Sequence, residues 1–457
     1  MTADLKGKNV LVVGLGKSGV ASALFLEARG ARVTVSDARR QQQLQDQIPA
    51  LLDKGITVET GKHGERTFQN KDLIVVSPGV PTGLPQLAQA RRDGMPVIGE
   101  IELAARFLEG KIVAITGSNG KTTTTALLGK IFADAGGPTL VGGNIGTPVI
   151  DLIAQSTPQT ISVLEVSSFQ LETVVEFRPH IAVVLNITQD HLDRHGTFEN
   201  YAAMKARITA QQTADDFFVL NAEDKPTQML AARTQAQVFW FSGRRAIKQG
   251  AFVHGESIVF LPREGARPEP VMPVAEIPLK GAHNVENVLA AVCAARLGGV
   301  AAESIRASVA GFKAVEHRLE FVATVRGVAF FNDSKATNVD ATRKALEAFP
   351  GGVHLILGGK DKNSDYTELA DLLRARVKTV YTIGSAAEKI ERHLAGVVKI
   401  VSAGTLDAAV RQAAQLAVAG DVVLLAPACA SFDQFTSYEH RGRVFKELVQ
   451  GLAGGSV

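Results

Sequence analysis

A strand, a tight turn and a helix succeed one another along nearly the whole chain, and that rhythm restarts twice. In the first stretch, residues 9–14 (NVLVVG), 32–37 (RVTVSD), 56–59 and 73–77 (LIVVS) are short β-branched runs, and a helical pattern at 20–29 stops at Gly30. Uninterrupted apolar runs of this length suit parallel strands buried on both faces, joined by crossover helices. Residues 97–100 look like the last piece of this unit. A second series runs through 112–116 (IVAIT), 161–166, 181–187, 217–221 and 238–242, with helical patterns at 122–135 and 201–210. Residues 251–260 (AFVHGESIVF) alternate around Gly255 like a hairpin, and a Pro-rich stretch leads to one more strand. That predicts an antiparallel addition to the sheet. The clearest helix of this half is 283–297, stopped by Gly298 and Gly299. The rhythm begins again near residue 314. Parallel strands are expected at 328–332, 353–357, 379–383 and 422–426, with helices at 341–348, 367–374 and 406–418.

Length decides the number of units. A single core stops growing near ~250–300 residues, and 457 residues at roughly 150 per domain make about three. We place them at 1–98, 99–314 and 315–457. With 46% hydrophobic and 21% charged residues, a mostly disordered chain is excluded. No apolar stretch reaches the ~18 uncharged residues of a membrane helix, and Asp4, Lys6 and Lys8 fall where a signal peptide needs an apolar core. The net charge of +3 comes without a polybasic run, so a nucleic-acid surface is not indicated. Cys293 and Cys429 are too few for a disulfide framework or a thiolate metal site and fit a reducing cytosol. The expectation is a soluble, cytoplasmic protein with small-molecule partners, no nucleic acid and no membrane. No exposed heptad or apolar stripe argues for association, so a monomer is expected.

Between the strand at 112–116 and the following helix lies Thr116-Gly117-Ser118-Asn119-Gly120-Lys121-Thr122-Thr123. Glycines there let backbone N–H groups turn inward around phosphates, and the helix N-terminus adds partial positive charge. Lys121 can neutralise terminal phosphates and the Thr122 hydroxyl can ligate Mg²⁺. The full pattern has a glycine where this chain has Ile115, so the loop is a shortened variant. A second loop, Gly14-Leu15-Gly16-Lys17-Ser18-Gly19, follows the first strand, with Asp37 closing the second. It satisfies the dinucleotide fingerprint. The physics specifies only a pyrophosphate and a diol, which NAD and a UDP-sugar both supply. The phosphate loop next door favours a nucleotide-diphosphate substrate, but the fingerprint leaves both open.

Glu165 (LEVSSFQLE) and Asp190-His191 (NITQDHLDRH) lie just past strand ends of the second unit, where open α/β sheets place ligands. They could complete a Mg²⁺ shell begun by Thr122, although Mg²⁺ prefers oxygen and a lone histidine is as readily a hydrogen-bonding group. Lys205 carries no signal of its own; an exposed helix lysine is the default. In the last third, polar turns recur at 331–338 (FNDSKATN), 357–362 (LGGKDK) and 426–433 (APACASFD). Each alone is weak, but three at one edge of a sheet make a binding face. The fold class expected is α/β in three domains. The first is Rossmann-like; the second is P-loop ATPase-like, a mostly parallel sheet with an antiparallel addition; the third is again Rossmann-like.

Taken together, these segments resemble the Mur ligase family, ATP-dependent ligases that build the peptide stem of peptidoglycan. TGSNGKTT resembles the family's ATP-binding loop, which also lacks the early glycine. EVSSFQLE, NITQDHLDRHG and GAHNVENVLAA resemble its central domain, and HRLE, NDSKATN and LAPACASFDQF its C-terminal domain. The resemblance runs in order along nearly the whole chain. Within the family, GLGKSG, SPGVP (77–81), DSKATN and ACASFDQF are most similar to the member that adds D-glutamate to UDP-N-acetylmuramoyl-L-alanine.

What the resemblance implies is residue-specific. Gly117, Ser118, Asn119, Gly120, Lys121, Thr122 and Thr123 would cradle ATP, with Asn284, Asn287, Arg318 and Asp333 as further ATP contacts. Thr122, Glu165, His191 and Lys205 would serve two Mg²⁺ sites, Lys205 as a carbamate formed with CO₂. The sugar-nucleotide pocket would comprise Gly14, Leu15, Gly16, Lys17, Ser18, Asp37, Arg39, Ser77 and Gly79, with Asn144 on the muramoyl peptide. Lys335 would contact the transferred phosphate. Thr337, Lys362, Ser431, Phe432 and Tyr438 would receive D-glutamate, Tyr438 standing where other members often carry Phe. Competing expectations are a sister ligase using L-alanine or a diamino acid, an NAD-dependent oxidoreductase, and a nucleotide-gated binding protein without turnover.

Overall fold

The computed structural model describes residues 4–144, 146–279, 281–313 and 316–454. Three separate sheets follow one another along the chain. The first contains β1 (Asn9–Val13), β2 (Arg32–Asp37), β3 (Thr57–Thr60), β4 (Leu73–Val76) and β5 (Val97–Gly99), ordered β3-β2-β1-β4-β5 and parallel throughout. Val10, Leu11, Val12 and Val13 on the central strand are completely buried, as a strand covered by helices on both faces must be. Gly19 belongs to the helix Lys17–Ala28 because a Cβ there would sit 1.9 Å from the Gly14 carbonyl oxygen. The first helix and first strand can approach this closely only without a side chain.

The second sheet has nine strands: β6 (Lys111–Thr116), β7 (Thr139–Gly143), β8 (Ile161–Glu165), β9 (Ile181–Val184), β10 (Phe217–Asn221), β11 (Gln237–Ser242), β12 (Gly250–His254), β13 (Ser257–Leu261) and β14 (Glu269–Pro273). Their order is β14-β13-β12-β11-β10-β9-β6-β8-β7. The run from β7 to β12 is parallel; β13 and β14 add antiparallel, as the alternation around Gly255 predicts. The helix Ala282–Leu297 is buried from Val288 to Ala295 and packs between the sheet and the helix Lys121–Asp134. At ~25 cal/mol per Å² of apolar surface, this layer is a main source of the unit's stability. It also fixes where the phosphate loop begins.

The third sheet contains β15 (Glu320–Val325), β16 (Val328–Asn332), β17 (Val353–Gly358), β18 (Val377–Ile383), β19 (Lys399–Gly404) and β20 (Val422–Leu425), ordered β15-β16-β20-β17-β18-β19. The three polar turns read from the sequence follow β16, β20 and β17, which are adjacent parallel strands. They therefore share one edge of the sheet. Three strands, β7, β15 and β19, are additional to the sequence expectations. Each is an outermost strand of its sheet, so its apolar pattern is diluted by exposed positions. β15 is also antiparallel to β16, so the third sheet is not parallel throughout.

The chain leaves the first sheet at Gly99 and enters the helix Glu100–Ala105. The expected boundary at 314/315 lies outside the described residues. Polar contacts join the units. Arg194 Nη2 donates to the Val80 carbonyl at 2.8 Å, and Thr82 Oγ1 donates to Glu172 Oε2 at 2.8 Å, tying the first unit to the second.

Candidate active site

The phosphate loop connects β6, in the middle of the nine-stranded sheet, to the helix Lys121–Asp134. Gly120 carries it into the helix with φ of 86°, and a Cβ there would lie 2.2 Å from Asn287 Oδ1. Side chains on this loop turn toward its neighbours. Lys121 Nζ donates to the carbonyls of Gly117 at 2.8 Å and Ser118 at 2.9 Å. The Thr122 hydroxyl donates to Glu165 Oε2 at 2.8 Å, and Asn144 Nδ2 donates to Glu165 Oε1 at 2.8 Å. Glu165 ends β8, directly beside β6.

On the other flank, β9 leads to Asp190 and His191. Burial raises the Asp190 carboxyl, but Lys362, His191, Asn338 and Lys121 outweigh it and hold the group at about 2. Burial, helped by the cations Lys362, Lys121 and Lys205 and opposed by Asp190, pushes the His191 imidazole down to about 4. His191 is therefore neutral at physiological pH, with a lone pair to offer a cation. Lys205 is 1% exposed and donates to the Gly117 carbonyl at 2.9 Å. Burial and the charge of Lys121 lower its pKa far below the usual lysine value. The expectation of an exposed helix lysine is thus overturned, because the helix Phe198–Ala206 lies against the loop. Tyr201 on that helix lies under Lys205 Nζ, 4.6 Å from ring centre, and its hydroxyl meets Ser118 Oγ at 3.0 Å.

Three units meet at a cavity of about 400 Å³ lined by Lys17 and Ser18 from the first, Lys121 and Glu165 from the second, and Lys335 and Thr337 from the third. Thr122, Asn144, His191, Arg318 and Tyr438 also line it. Lys335 Nζ donates to the Tyr438 hydroxyl at 3.1 Å, and burial brings the Lys335 ammonium down to about 8. A narrower cleft beside the loop is lined by Asn119, Gly120, His283, Asn287, Arg318 and Asp333. Asn287 donates to Asn284 Oδ1 at 3.1 Å. Burial raises the Asp333 carboxyl to about 6, against the pull of Arg318.

The donor set suits a triphosphate with Mg²⁺. Thr122 and Glu165 offer hard oxygens side by side, and Thr116 Oγ1, Thr123 Oγ1 and Arg318 Nε are buried polar atoms with no partner in the protein. Other expected residues sit further out. Asp37 is occupied by the first turn, accepting from the Leu15 N–H at 2.7 Å and from Arg39 Nη2 at 2.8 Å. Ser77 Oγ donates to the Gly14 carbonyl at 2.8 Å, Gly16 lies exposed in that turn, and Gly79 in the loop after β4. Lys362 lines a neighbouring cavity of about 300 Å³ across Asp190.

Two expected D-glutamate residues do not reach these cavities. Ser431 is buried, and Phe432 is 68% exposed. The backbone of Ala430 pairs with Lys360, and the Phe435 N–H donates to the Ser431 carbonyl. That curl leaves Phe432 outward. Arg441 has no counterpart in the sequence reading. It is fully buried and donates to the carbonyls of Ser334 at 2.8 Å and Cys429 at 3.2 Å. A lone arginine inside a helix of mixed polarity gives no sequence signal.

Fold and site together define a three-domain α/β protein built around a phosphate-binding loop, with its reaction cavity shared by all three domains. Sequence comparison agrees domain by domain. The Mur ligase middle domain matches residues 115–295, the MurD-like N-terminal domain of Mur ligases matches 8–99, and the Mur ligase glutamate ligase domain matches 317–429. A UDP-N-acetylmuramoylalanine–D-glutamate ligase of Acidobacterium capsulatum is 65% identical over 99% of this chain and 98% of its own length. One from Koribacter versatilis is 64% identical over 98% of this chain and 99% of its own. Among solved structures, a UDP-N-acetylmuramate–alanine ligase from Thermotoga maritima shares the fold at a TM-score of 0.60 and 19% identity, covering 97% of this chain and 99% of its own. The chain belongs to the Mur ligase family.

Proposed function

We propose that this chain is an ADP-forming amide ligase that joins D-glutamate to UDP-N-acetylmuramoyl-L-alanine, acting as a cytoplasmic monomer in peptidoglycan precursor synthesis. One observation carries the reading: a single cavity is lined by Lys17 of the first unit, Lys121 of the second and Lys335 of the third. A sugar nucleotide, a triphosphate and an amino acid, each held by its own unit, would meet there. The names of the relatives at 65% and 64% identity supply the substrate assignment. We assign the sugar nucleotide to residues 1–98, ATP to 99–314 and D-glutamate to 315–457.

The substrate carboxylate repels nucleophiles, so activation must precede amide formation. Its oxygen attacks the γ-phosphorus of ATP, the bond to the β-phosphate oxygen breaks, and ADP leaves. Lys121 neutralises charge on the phosphates during this step, which depends on positioning and electrostatics. The neutral amine of D-glutamate then adds to the acyl carbon, and the tetrahedral intermediate expels phosphate to give the amide. Lys335, already near neutrality through burial, faces the transferred phosphate. Thr337, Lys362 and Tyr438 orient the amino acid. Because the acyl phosphate hydrolyses in water, the cavity must close around it.

Thr122, Glu165 and His191 would hold Mg²⁺, which when bound offsets the negative charge of the phosphates. Lys205, driven toward its neutral amine by burial, is suited to add CO₂, losing a proton and becoming a carbamate whose oxygens join the metal shell. Phosphate release measured with the UDP-linked acceptor across D-glutamate, L-alanine and meso-diaminopimelate tests the proposal. Turnover with D-glutamate alone supports it; preference for another amino acid points to a sister ligase. NADH-linked turnover that survives Lys121→Ala would replace it with an oxidoreductase.

A further inference from the structure

The contacts that close the third unit onto the phosphate loop come in reciprocal pairs. Asp190, from the second unit, accepts from Asn338 Nδ2 at 3.0 Å and Lys362 Nζ at 3.2 Å, both from the third. Asp340, from the third unit, accepts from Asn119 Nδ2 at 2.7 Å and Thr188 Oγ1 at 3.3 Å, both from the second. Asp340 is 8% exposed and lies in the first turn of the helix Val339–Glu347, where the helix dipole favours a carboxylate. Burial raises its pKa, but Lys344 and Arg343 one turn along outweigh that and keep it ionised.

Asn119 is a rigid extension of the phosphate loop. Its N–H donates to Asn186 Oδ1 at 2.8 Å, and its carbonyl accepts from Asn186 Nδ2 at 3.1 Å. Its side chain is then directed across the seam. On the other side, Asn338 caps the helix of Asp340 by accepting the Ala341 N–H at 2.8 Å, and the same turn carries Lys335 and Thr337. The seam is not sealed by apolar packing, since a cavity of about 300 Å³ opens beside it, lined by Thr188, Asp340, Arg343 and Lys362. Charged hydrogen bonds are left to hold it.

We propose that Asp340 is a positioning residue that latches the third unit to the phosphate loop through Asn119, setting the placement of Lys335 and Thr337. The proposal rests on the ligase reading above. It is tested on the full chain with Asp340→Ala, Asp340→Asn, Asn119→Ala and the Asp340→Ala/Asn119→Ala pair. Small-angle scattering with ADP, Mg²⁺ and UDP-N-acetylmuramoyl-L-alanine reads closure, and steady-state kinetics with D-glutamate reads kcat and KM.

The expected result for Asp340→Ala is a more extended scattering profile and a kcat about tenfold lower, the size of one charged hydrogen bond, at unchanged Tm. Asp340→Asn, still able to accept from Asn119, retains most of both. The paired variant falls well short of the product of the two single losses, because both remove one contact. Wild-type scattering and kcat in Asp340→Ala, or strictly multiplicative losses, would overturn the latch. Should Asp340→Ala fail to fold, Thr188→Val removes a donor from the opposite side and must open the profile in the same sense. Failure of wild-type enzyme to form ADP would instead sink the ligase reading, with scattering still judging the latch.

Discussion

Lys205 Nζ lies 2.9 Å from the Gly117 carbonyl oxygen, inside the protein and against the loop that begins the phosphate site. A buried ammonium is costly, and this one is shared with a neighbouring cation, Lys121. Its chemistry is better served by a neutral amine or a carbamate. Lys205→Ala and Lys205→Arg are both expected to lower phosphate release by about 100-fold or more, the scale of losing a group that organises a metal shell. Arginine keeps the charge but cannot take up CO₂. Degassed buffer should depress the wild-type rate and bicarbonate should restore it, with neither variant responding. A Lys205→Arg enzyme of normal activity would exclude the carbamate.

Gly120 is the position where the loop tolerates no side chain. Its φ of 86° and the 2.2 Å approach of Asn287 Oδ1 to a built Cβ act together. Gly120→Ala should cost about 1–3 kcal/mol of stability and displace Asn287 from the nucleotide cleft. Calorimetry should show a lower Tm, and titration with ADP and Mg²⁺ should show weaker binding. Unchanged ADP affinity would mean that Asn287 does not define the cleft.

Those two positions differ in how well the sequence reveals them. Glycine spacing, the lysine and the hydroxyl locate the phosphate loop because phosphate chemistry constrains them locally. The buried strands are equally legible, since continuous apolar runs have few other uses. Lys205, Asp340 and Arg441 are not, because each depends on a second element arriving from far along the chain: the loop for Lys205, the seam for Asp340, two turns for Arg441. Edge strands such as β19 fail for a related reason, as solvent on one side permits polar residues that blur the pattern. Phe432 is the converse case, a residue in a recognisable segment whose backbone curl turns it outward.

Glu100 begins the helix that follows the first sheet, and it is buried with one oxygen accepting the Ile150 N–H at 2.8 Å and the other unpartnered. Burial raises its carboxyl from 4.5 to about 7. The folded state therefore keeps a proton that the unfolded chain releases. Its contribution to stability is complete below pH 4.5 and is lost as pH rises to about 7. Two and a half pK units correspond to roughly 3 kcal/mol. Denaturant unfolding of wild type and Glu100→Gln across this window should show wild type losing more stability by about that amount. Parallel pH profiles would show that Glu100 ionises as freely in the fold as outside it.

Arg441 is placed to hold the amino-acid side of the cavity together. From the helix Tyr438–Gly454 its guanidinium donates to Ser334 Oγ at 3.0 Å, to the Ser334 carbonyl at 2.8 Å, and to the Cys429 and Ala430 carbonyls at 3.2 and 3.4 Å. Ser334 adjoins Lys335, and Ala430 adjoins Ser431, so one planar group bridges the turns after β16 and β20. Burial pushes its pKa down to about 10, which leaves it charged at neutral pH. A lysine keeps the charge but not the fork that reaches both turns. Arg441→Lys should raise the KM for D-glutamate about 10- to 100-fold, the equivalent of one or two charged hydrogen bonds. ADP affinity should change less than about twofold, because the phosphate loop belongs to a different sheet and sites without shared partners behave nearly independently. Circular dichroism and Tm separate this from general unfolding. Equal losses in D-glutamate KM and ADP affinity would show that Arg441 supports the fold as a whole and not the amino-acid turns.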